Sequence, residues 1–114
     1  MSSRKETPKI TKTKDGKLVS WRHPGGKLLR VGPDSLTDSE LIAILIGSGV
    51  PGKSAESIAN ELLSRFQSFR GLANQQLEKF KEIKGLKTVK VVRIAAAFEI
   101  AKRIVNQVLK EREK

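Results

Sequence analysis

The sequence lacks cysteine and tyrosine, and its 114 residues include only one histidine, one tryptophan and four phenylalanines. Without cysteine there is neither a disulfide framework nor a thiolate metal site, and nothing argues for secretion. No apolar run reaches the roughly 18 residues that span a bilayer, and the N-terminus lacks the apolar core of a signal peptide. We therefore expect a cytoplasmic protein with no membrane partner and a mostly aliphatic core.

Acidic residues are also scarce. The chain has 12 Asp and Glu and 23 Lys and Arg, so its formal net charge is +11. Such an excess favours polyanionic partners such as nucleic acid. Residues 1–20 are polar, basic and poor in apolar side chains, which predicts a flexible basic tail. Residues 21–114 are still basic, and they suffice for one compact domain.

No segment alternates apolar and polar residues over the length of a strand, so we expect an all-α fold without a sheet. Residues 21–36 hold three turn signals around Leu28, Leu29 and Val31, and we expect one irregular helical turn that packs these side chains inward. The apolar periodicity of the rest predicts a compact bundle of about five short helices. They cover about 37–46, 55–66, 69–73, 75–82 and 88 to beyond 109, the last being a linker helix whose charged end lies in solvent.

The string GSGVPGKS at residues 47–54 matches the Walker A pattern of nucleotide-binding loops letter for letter. Such a loop needs a strand before it and a strand-end Asp that holds magnesium. Thr37 and Glu40 instead have the spacing of a capping box, so a helix precedes the loop, and Gly47 is placed to end that helix. No Asp follows Asp38. We therefore interpret the string as a loop between two helices, and we expect no cofactor.

A smaller role for the same loop stays open, because a glycine-rich turn before a helix exposes N–H donors that suit a DNA phosphate. The candidate residues for such a secondary phosphate contact are Gly49, Lys53 and Ser54.

A stronger pattern is LEKFKEIKGLKTVKVVRI at residues 77–94, which has the form of a helix-hairpin-helix. Gly85 allows the turn and Leu86 enters the core. The N–H groups that open the second helix point outward, where they suit a DNA phosphate and need no base contact. The side chains expected to be buried before the turn are Leu77, Phe80 and Ile83, and the pattern continues through Val91 and Val92 to a buried Ile94.

Lys87 stands where most such hairpins have a second glycine. It either adopts a left-handed conformation, at a cost of about 1 kcal/mol, or widens the turn. Basic side chains recur at every third position from Lys81 to Arg93, which places those on helical parts on one face. The alternative is an ordinary solvated surface. The candidate DNA-binding residues are Lys84, Gly85, Leu86, Lys87, Thr88, Lys90 and Arg93.

The stretch KLLRVGPDSLTDSELIAILIGSGVPGKSAESIANELLSRF and the hairpin after it resemble the N-terminal domain of RadC-like proteins, the UPF0758 family, over about residues 22–103. The most distinctive block is GPDSLTDSELIAILIGSG. The resemblance implies an all-helical domain similar to the second domain of RuvA, and a link to DNA repair. It also implies a C-terminal JAB/MPN metalloprotease-like domain with two His and one Asp as zinc ligands, which these residues do not include. We expect His23 to be an ordinary surface or turn residue and expect no metal site.

The helix order also resembles that of endonuclease III-type DNA glycosylases, in which Lys90 would hold the place of the Schiff-base lysine. Those enzymes need an Asp further along, where this sequence has Val108 nearby, and a second lobe that holds a flipped base. We therefore expect no catalysis. The predicted function is a non-catalytic module that binds the backbone of duplex DNA nonspecifically. The alternative is a protein-interaction or structural domain that docks the JAB/MPN domain.

Overall fold

The structure is a computed structural model that describes residues 7–113, which form six α-helices, one 3-10 helix and a two-stranded sheet. In chain order they are β1 (Lys9–Lys12), β2 (Leu18–Trp21), α1 (Pro24–Val31), the 3-10 helix (Pro33–Ser35), α2 (Asp38–Ile46), α3 (Ala55–Phe66), α4 (Phe69–Ala73), α5 (Leu77–Phe80) and α6 (Thr88–Arg112). The prediction of a mostly helical domain is confirmed. No helix in this part of the chain is both long and apolar enough to cross a membrane.

Strands β1 and β2 pair antiparallel, with Lys9 opposite Trp21. The prediction that no sheet forms is therefore wrong. Residues 9–20 of the predicted tail contribute to this hairpin, and residues 1–6 lie outside the described range. Each strand has four residues, and the apolar side chains of Ile10 and Leu18 are 68% and 74% exposed. Such short strands with outward apolar side chains give no period-two signal.

Trp21 anchors the hairpin to helix α1. Its side chain is buried, and the ammonium groups of Lys9 and Lys27 lie 5.0 and 4.9 Å from the ring centroid. The indole Nε1 donates a hydrogen bond to the Thr11 hydroxyl at 2.8 Å. Burial of this ring, together with its cation–π contacts, stabilises strands that have little local preference of their own.

Helix α1 is longer than the single irregular turn that the sequence predicted. Pro24 opens it, which is a favoured position because the first N–H of a helix has no intrahelical acceptor. Leu28 and Val31 are half-buried, but Leu29 is 85% exposed, so the expectation that Leu29 packs inward is wrong. The Lys27 side chain points inward instead and pairs with Glu40 of helix α2.

The predicted capping box at the start of helix α2 is confirmed. The Thr37 hydroxyl accepts a hydrogen bond from the Glu40 N–H at 3.1 Å, and the Glu40 carboxylate accepts one from the Thr37 N–H at 2.9 Å. Lys27 adds an ion pair of 2.9 Å to the same carboxylate. Gly47 ends the helix with a φ of 81°, as predicted. A local sequence signal therefore fixes both ends of this helix.

One aliphatic core lies between α2, α3, α4, the α5 turn and the first part of α6. Its buried residues are Ile42, Ala43, Ile46, Ala55, Ile58, Ala59, Leu62, Leu72, Phe80, Ile83, Leu86, Val91 and Ile94. Helix α5 is shorter than predicted and leaves Leu77 43% exposed, so the expected burial of Leu77 is wrong, whereas that of Phe80 and Ile83 is confirmed. From Glu99 onwards every described side chain of α6 is exposed, as predicted for its solvent end.

Glu40 gives this capping site a pH dependence. Burial raises the pKa of its carboxyl, but the Thr37 N–H and the Lys27 ammonium outweigh burial and hold the pKa below its ordinary value of 4.5. A folded-state pKa below the unfolded one contributes stability above the unfolded value, and that stability is lost as pH falls through the folded pKa. We expect Glu40→Gln, which mimics the protonated form, to lower the free energy of unfolding by about 1 kcal/mol at neutral pH.

Urea unfolding of both proteins from pH 7 to pH 3 measures this difference. It should shrink towards zero as pH falls below 4.5. Glu78→Gln is the control, because Glu78 is exposed and has no ion pair within residues 7–113. A Glu40→Gln difference that stays constant over the pH range would contradict the account.

Candidate nucleic-acid interface

Two turns that are far apart in the sequence, one glycine-rich and one with a single glycine, meet on one surface. The first turn, residues 47–54, joins α2 to α3, and the second turn, residues 81–87, joins α5 to α6. The Lys53 ammonium donates a hydrogen bond to the Lys84 carbonyl oxygen at 3.0 Å, and the Lys90 ammonium donates one to the Ser48 carbonyl oxygen. Each lysine thus bridges to a main-chain carbonyl of the other segment. The sequence predicted two separate features, and the fold brings them together.

Gly85 packs against helix α3 and the first turn. Its φ is 99°, a conformation that side chains rarely adopt, and the residue is buried. A Cβ added to it would lie 2.5 Å from Ile58 Cδ1 and 3.5 Å from Val50 Cγ2. Leu86 follows directly and is buried in the core, as predicted. Only glycine lets the second turn approach helix α3 and the first turn this closely.

The first turn is a loop between two helices, as the sequence predicted. Val50 and Lys53 exchange two backbone hydrogen bonds of 2.9 Å, and a Cβ on Gly49 would lie 2.2 Å from the Lys53 carbonyl oxygen. Ser54 caps helix α3 by accepting a hydrogen bond from the Ser57 N–H at 3.0 Å. The strand that a Walker A loop requires is replaced by helix α2.

Lys53, which the Walker A match would place on a phosphate, is engaged within the protein. Its ammonium group pairs with the Glu61 carboxylate and also bonds the Lys84 carbonyl oxygen, and its side chain is only 16% exposed. Gly49, Lys53 and Ser54 therefore all have structural partners. A secondary phosphate contact by these residues stays a prediction.

The backbone conformation of Lys87 tests one of the two geometries that the missing second glycine allowed, a left-handed Lys87. Its φ of −107° and ψ of −178° are extended, so the left-handed option is wrong. Lys87 is the residue before helix α6, and no side chain caps the first turn of that helix in the described part of the chain. The opening N–H groups of a helix have no intrahelical acceptor, and here they sit beside the exposed Thr88. They are free to bind an acceptor from outside.

The basic side chains of the hairpin fall into two groups. Lys84, Lys87 and Arg93 are exposed, and none of the three has an acidic partner within residues 7–113. Lys90 is half-buried, because its ammonium group is held by the Ser48 carbonyl oxygen. The nearest carboxylate in sequence, Glu82, is paired with Arg65 and Lys79. The outward charge of this surface is therefore positive.

Four further positions complete the comparison with the sequence. Val92, which fits the hairpin pattern, is 56% exposed, whereas Val91 and Ile94 are buried. His23 is exposed and lies just before helix α1, as expected for a turn residue. Residues 7–113 contain no group of three or more His, Asp or Glu that could hold a metal ion. No pattern in the sequence indicates that Val50 and Ile58 pack against Gly85.

A family model described as UPF0758 N-terminal matches residues 18–92. A UPF0758 protein of Alteromonas mediterranea is 42% identical over 80 residues, which are 70% of this chain and 36% of that protein. UPF0758 proteins of Pseudoalteromonas atlantica and Paraburkholderia phytofirmans are 38% identical over 90 residues and 36% identical over 97 residues. These two matches cover 76% and 85% of this chain, and 40% and 38% of the relatives.

This chain thus spans about two fifths of the length of the curated relatives it matches. No solved structure matches it. The expected likeness to the second domain of RuvA therefore stays a prediction.

Lys53 should hold the two turns together. We expect Lys53→Met to lower the free energy of unfolding by about 1 kcal/mol, because it removes a charge-assisted hydrogen bond to a carbonyl group and leaves Glu61 unpaired. The control is Lys81→Met, which removes an exposed charge without such partners and should change stability by less than about 0.5 kcal/mol. Urea unfolding measures both, and equal losses in the two variants would contradict the bridging role.

Gly85 should be intolerant of even the smallest side chain. Gly85→Ala should cost about 2 kcal/mol, because alanine disfavours the positive φ and its methyl group meets Ile58. Gly25→Ala is the matched control, since Gly25 lies within helix α1 with no atom near its added Cβ, and it should be neutral or stabilising. Thermal unfolding distinguishes them, and the account fails if Gly85→Ala is as stable as the parent protein.

Proposed function

This chain belongs to the UPF0758 family through its N-terminal domain, and on that premise we propose that it is a DNA-binding module of a RadC-like DNA repair protein. In this proposal it is non-catalytic and contacts the phosphates of duplex DNA without sequence preference. The contact surface is the helix-hairpin-helix at residues 77–94. We also propose that it acts in the cytoplasm, which the absence of cysteine supports.

The observation that carries the proposal is an uncapped helix start next to unpaired cations. The first N–H groups of the 25-residue helix α6 have no side-chain acceptor among the described residues, and Lys84 and Lys87 come just before them in the chain. The exposed Arg93 lies further along α6, with its guanidinium near Gly47. Free N–H groups at a helix N-terminus and the helix dipole both favour an anion there. Phosphate oxygens of the DNA backbone match this combination of donors and positive charge, and their binding needs no contact with a base edge.

The rigidity of the second turn supports the same function. Gly85 is held against Ile58 and Val50, Leu86 is buried, and the Lys84 carbonyl oxygen is bound by Lys53. A turn fixed at three successive residues presents its donors in a single arrangement. Less conformational entropy is then lost when a phosphate binds.

A second candidate is a structural or protein-interaction domain that docks a C-terminal JAB/MPN-type domain. The observation that favours it is length, because the part that this chain matches is only 36% to 40% of the relatives' length. In such a domain the basic hairpin would not bind DNA. The two candidates differ in whether charge at the hairpin matters for DNA binding.

A salt series of duplex binding, followed by fluorescence anisotropy, tests the DNA proposal. The logarithm of the affinity should fall with the logarithm of the salt concentration at a slope of about −3, since three exposed cations can each neutralise a phosphate. The double variant Lys84→Gln/Lys87→Gln should weaken binding about tenfold at low salt and reduce the slope by about 2.

The matched control is Lys12→Gln/Lys17→Gln, which removes the same charge from exposed positions of the N-terminal hairpin. It should leave most of the affinity in place. If this control weakens binding as much as the Lys84/Lys87 pair does, attraction by net charge explains the binding and the hairpin is not the site. If the parent chain binds no duplex at low salt, the second candidate stands instead.

A further inference from the structure

The second half of helix α6 carries a row of uncovered aliphatic side chains. Ile100, Ile104, Val105, Val108 and Leu109 are 44% to 61% exposed. At 3.6 residues per turn Ile104, Val105, Val108 and Leu109 share one side of the helix, and Ile100 lies at the edge of that side, opposite Leu109. We call residues 99–109 the α6 stripe. A contiguous apolar face of this kind on a basic protein marks a contact surface.

A groove of about 670 Å³ lies beside this stripe. One wall is the segment of α4 and α5 from Phe69 to Phe80, and the other is α6 itself. Its apolar lining comes from Phe69, Leu72, Leu77, Phe98, Ala101 and Val105. Arg70, Glu99 and Lys102 also line it, and all three are exposed. Val105 belongs both to the groove lining and to the row of exposed aliphatic side chains, so the two surfaces meet there.

The stripe continues the packed first half of the 25-residue helix α6 and lacks tertiary packing of its own. Most helical stability in proteins comes from such packing rather than from helix propensity. Its one ion pair, between Glu99 and Arg103, is exposed on both sides and contributes little. The radius of gyration of 16.4 Å also exceeds the roughly 13 Å of a compact chain of this length, in keeping with a helix end that extends from the domain. A covering partner would supply the packing that the stripe lacks.

We propose that the α6 stripe and its groove dock the C-terminal portion that UPF0758 proteins carry after this domain. The matched family model is an N-terminal one, and the matched part is only 36% to 40% of the relatives' length, so more than half of each relative lies outside it. The stripe belongs to α6, the last element of the described residues. This inference rests on family membership and on the second candidate function, and it is independent of DNA binding.

Charge distinguishes this occupant from a second copy of the chain. Each copy carries a net charge of +11, and Lys102 and Arg70 of the groove lining would face the same residues of the other copy or its basic surface. Like charges brought together oppose association. The expected docking surface is therefore aliphatic with carboxylates around it, which would pair with Arg70 and Lys102.

A fusion protein tests the proposal. This chain is joined at its C-terminus to the part of the Alteromonas mediterranea UPF0758 protein that follows the matched segment. Amide hydrogen exchange of residues 99–109 is then compared between the fusion and the chain alone. We expect exchange in the fusion to be slower by about tenfold or more, because docking protects the exposed helix from local opening.

Two variants locate the contact. Val105→Asp puts a charge at the centre of the surface and should abolish the added protection, whereas Leu29→Asp, on an equally exposed leucine of helix α1, should leave it unchanged. Both substituted residues are exposed, so both variants should fold, which circular dichroism checks. When either substitution is made in the chain alone, its duplex binding should not change. This measurement separates a failure of this inference from a failure of the DNA proposal.

Three results would overturn the inference. One is equal exchange of residues 99–109 in the fusion and the chain alone. Another is added protection that survives Val105→Asp, which would place the docking elsewhere. The third is a chain that sediments as a dimer and becomes monomeric on Val105→Asp, which would make a second copy the occupant.

Discussion

The close approach of Gly85 to helix α3 is the constraint on which the arrangement of this domain depends. A glycine in a positive-φ conformation lets the second turn press against Ile58 and Val50, with no room for a Cβ. That approach brings the Lys84 carbonyl oxygen to Lys53 and places Leu86 in the core. It also sets where helix α6 begins, and therefore where its opening N–H groups point.

The basic side chains around this contact between the two turns have two different roles. Lys53 and Lys90 bind main-chain carbonyl oxygens of the opposite segment and hold the two turns together. Lys84, Lys87 and Arg93 are exposed and have no acidic partners in residues 7–113, although the Arg93 guanidinium lies near Gly47 of the first turn. A cation that is already bonded internally must give up that contact to bind a phosphate, whereas an exposed unpaired one does not. The proposed DNA surface is consequently smaller than the periodic row of lysines in the sequence.

Local signals explain what could be predicted from the sequence. The capping box of Thr37 and Glu40 and the terminating Gly47 fixed helix α2, because each acts within one turn of chain. The N-terminal hairpin was missed because its stability comes from the tertiary burial of Trp21. The convergence of residues 47–54 with the second turn was missed for a similar reason, since no local pattern reports contacts across more than thirty residues. In the candidate site, therefore, residue types were predictable and their partners were not.

The most direct test of the account is a titration of the isotope-labelled chain with a short DNA duplex, followed by amide NMR shifts. The account predicts that the shifted amides cluster at residues 84–93, with a smaller group at the adjoining Ser48 to Val50 backbone. The N-terminal hairpin and the α6 stripe should show little change. Shifts confined to residues 7–21, or spread evenly over all the basic residues, would contradict the claim that the turn at Gly85 presents a built phosphate-binding surface.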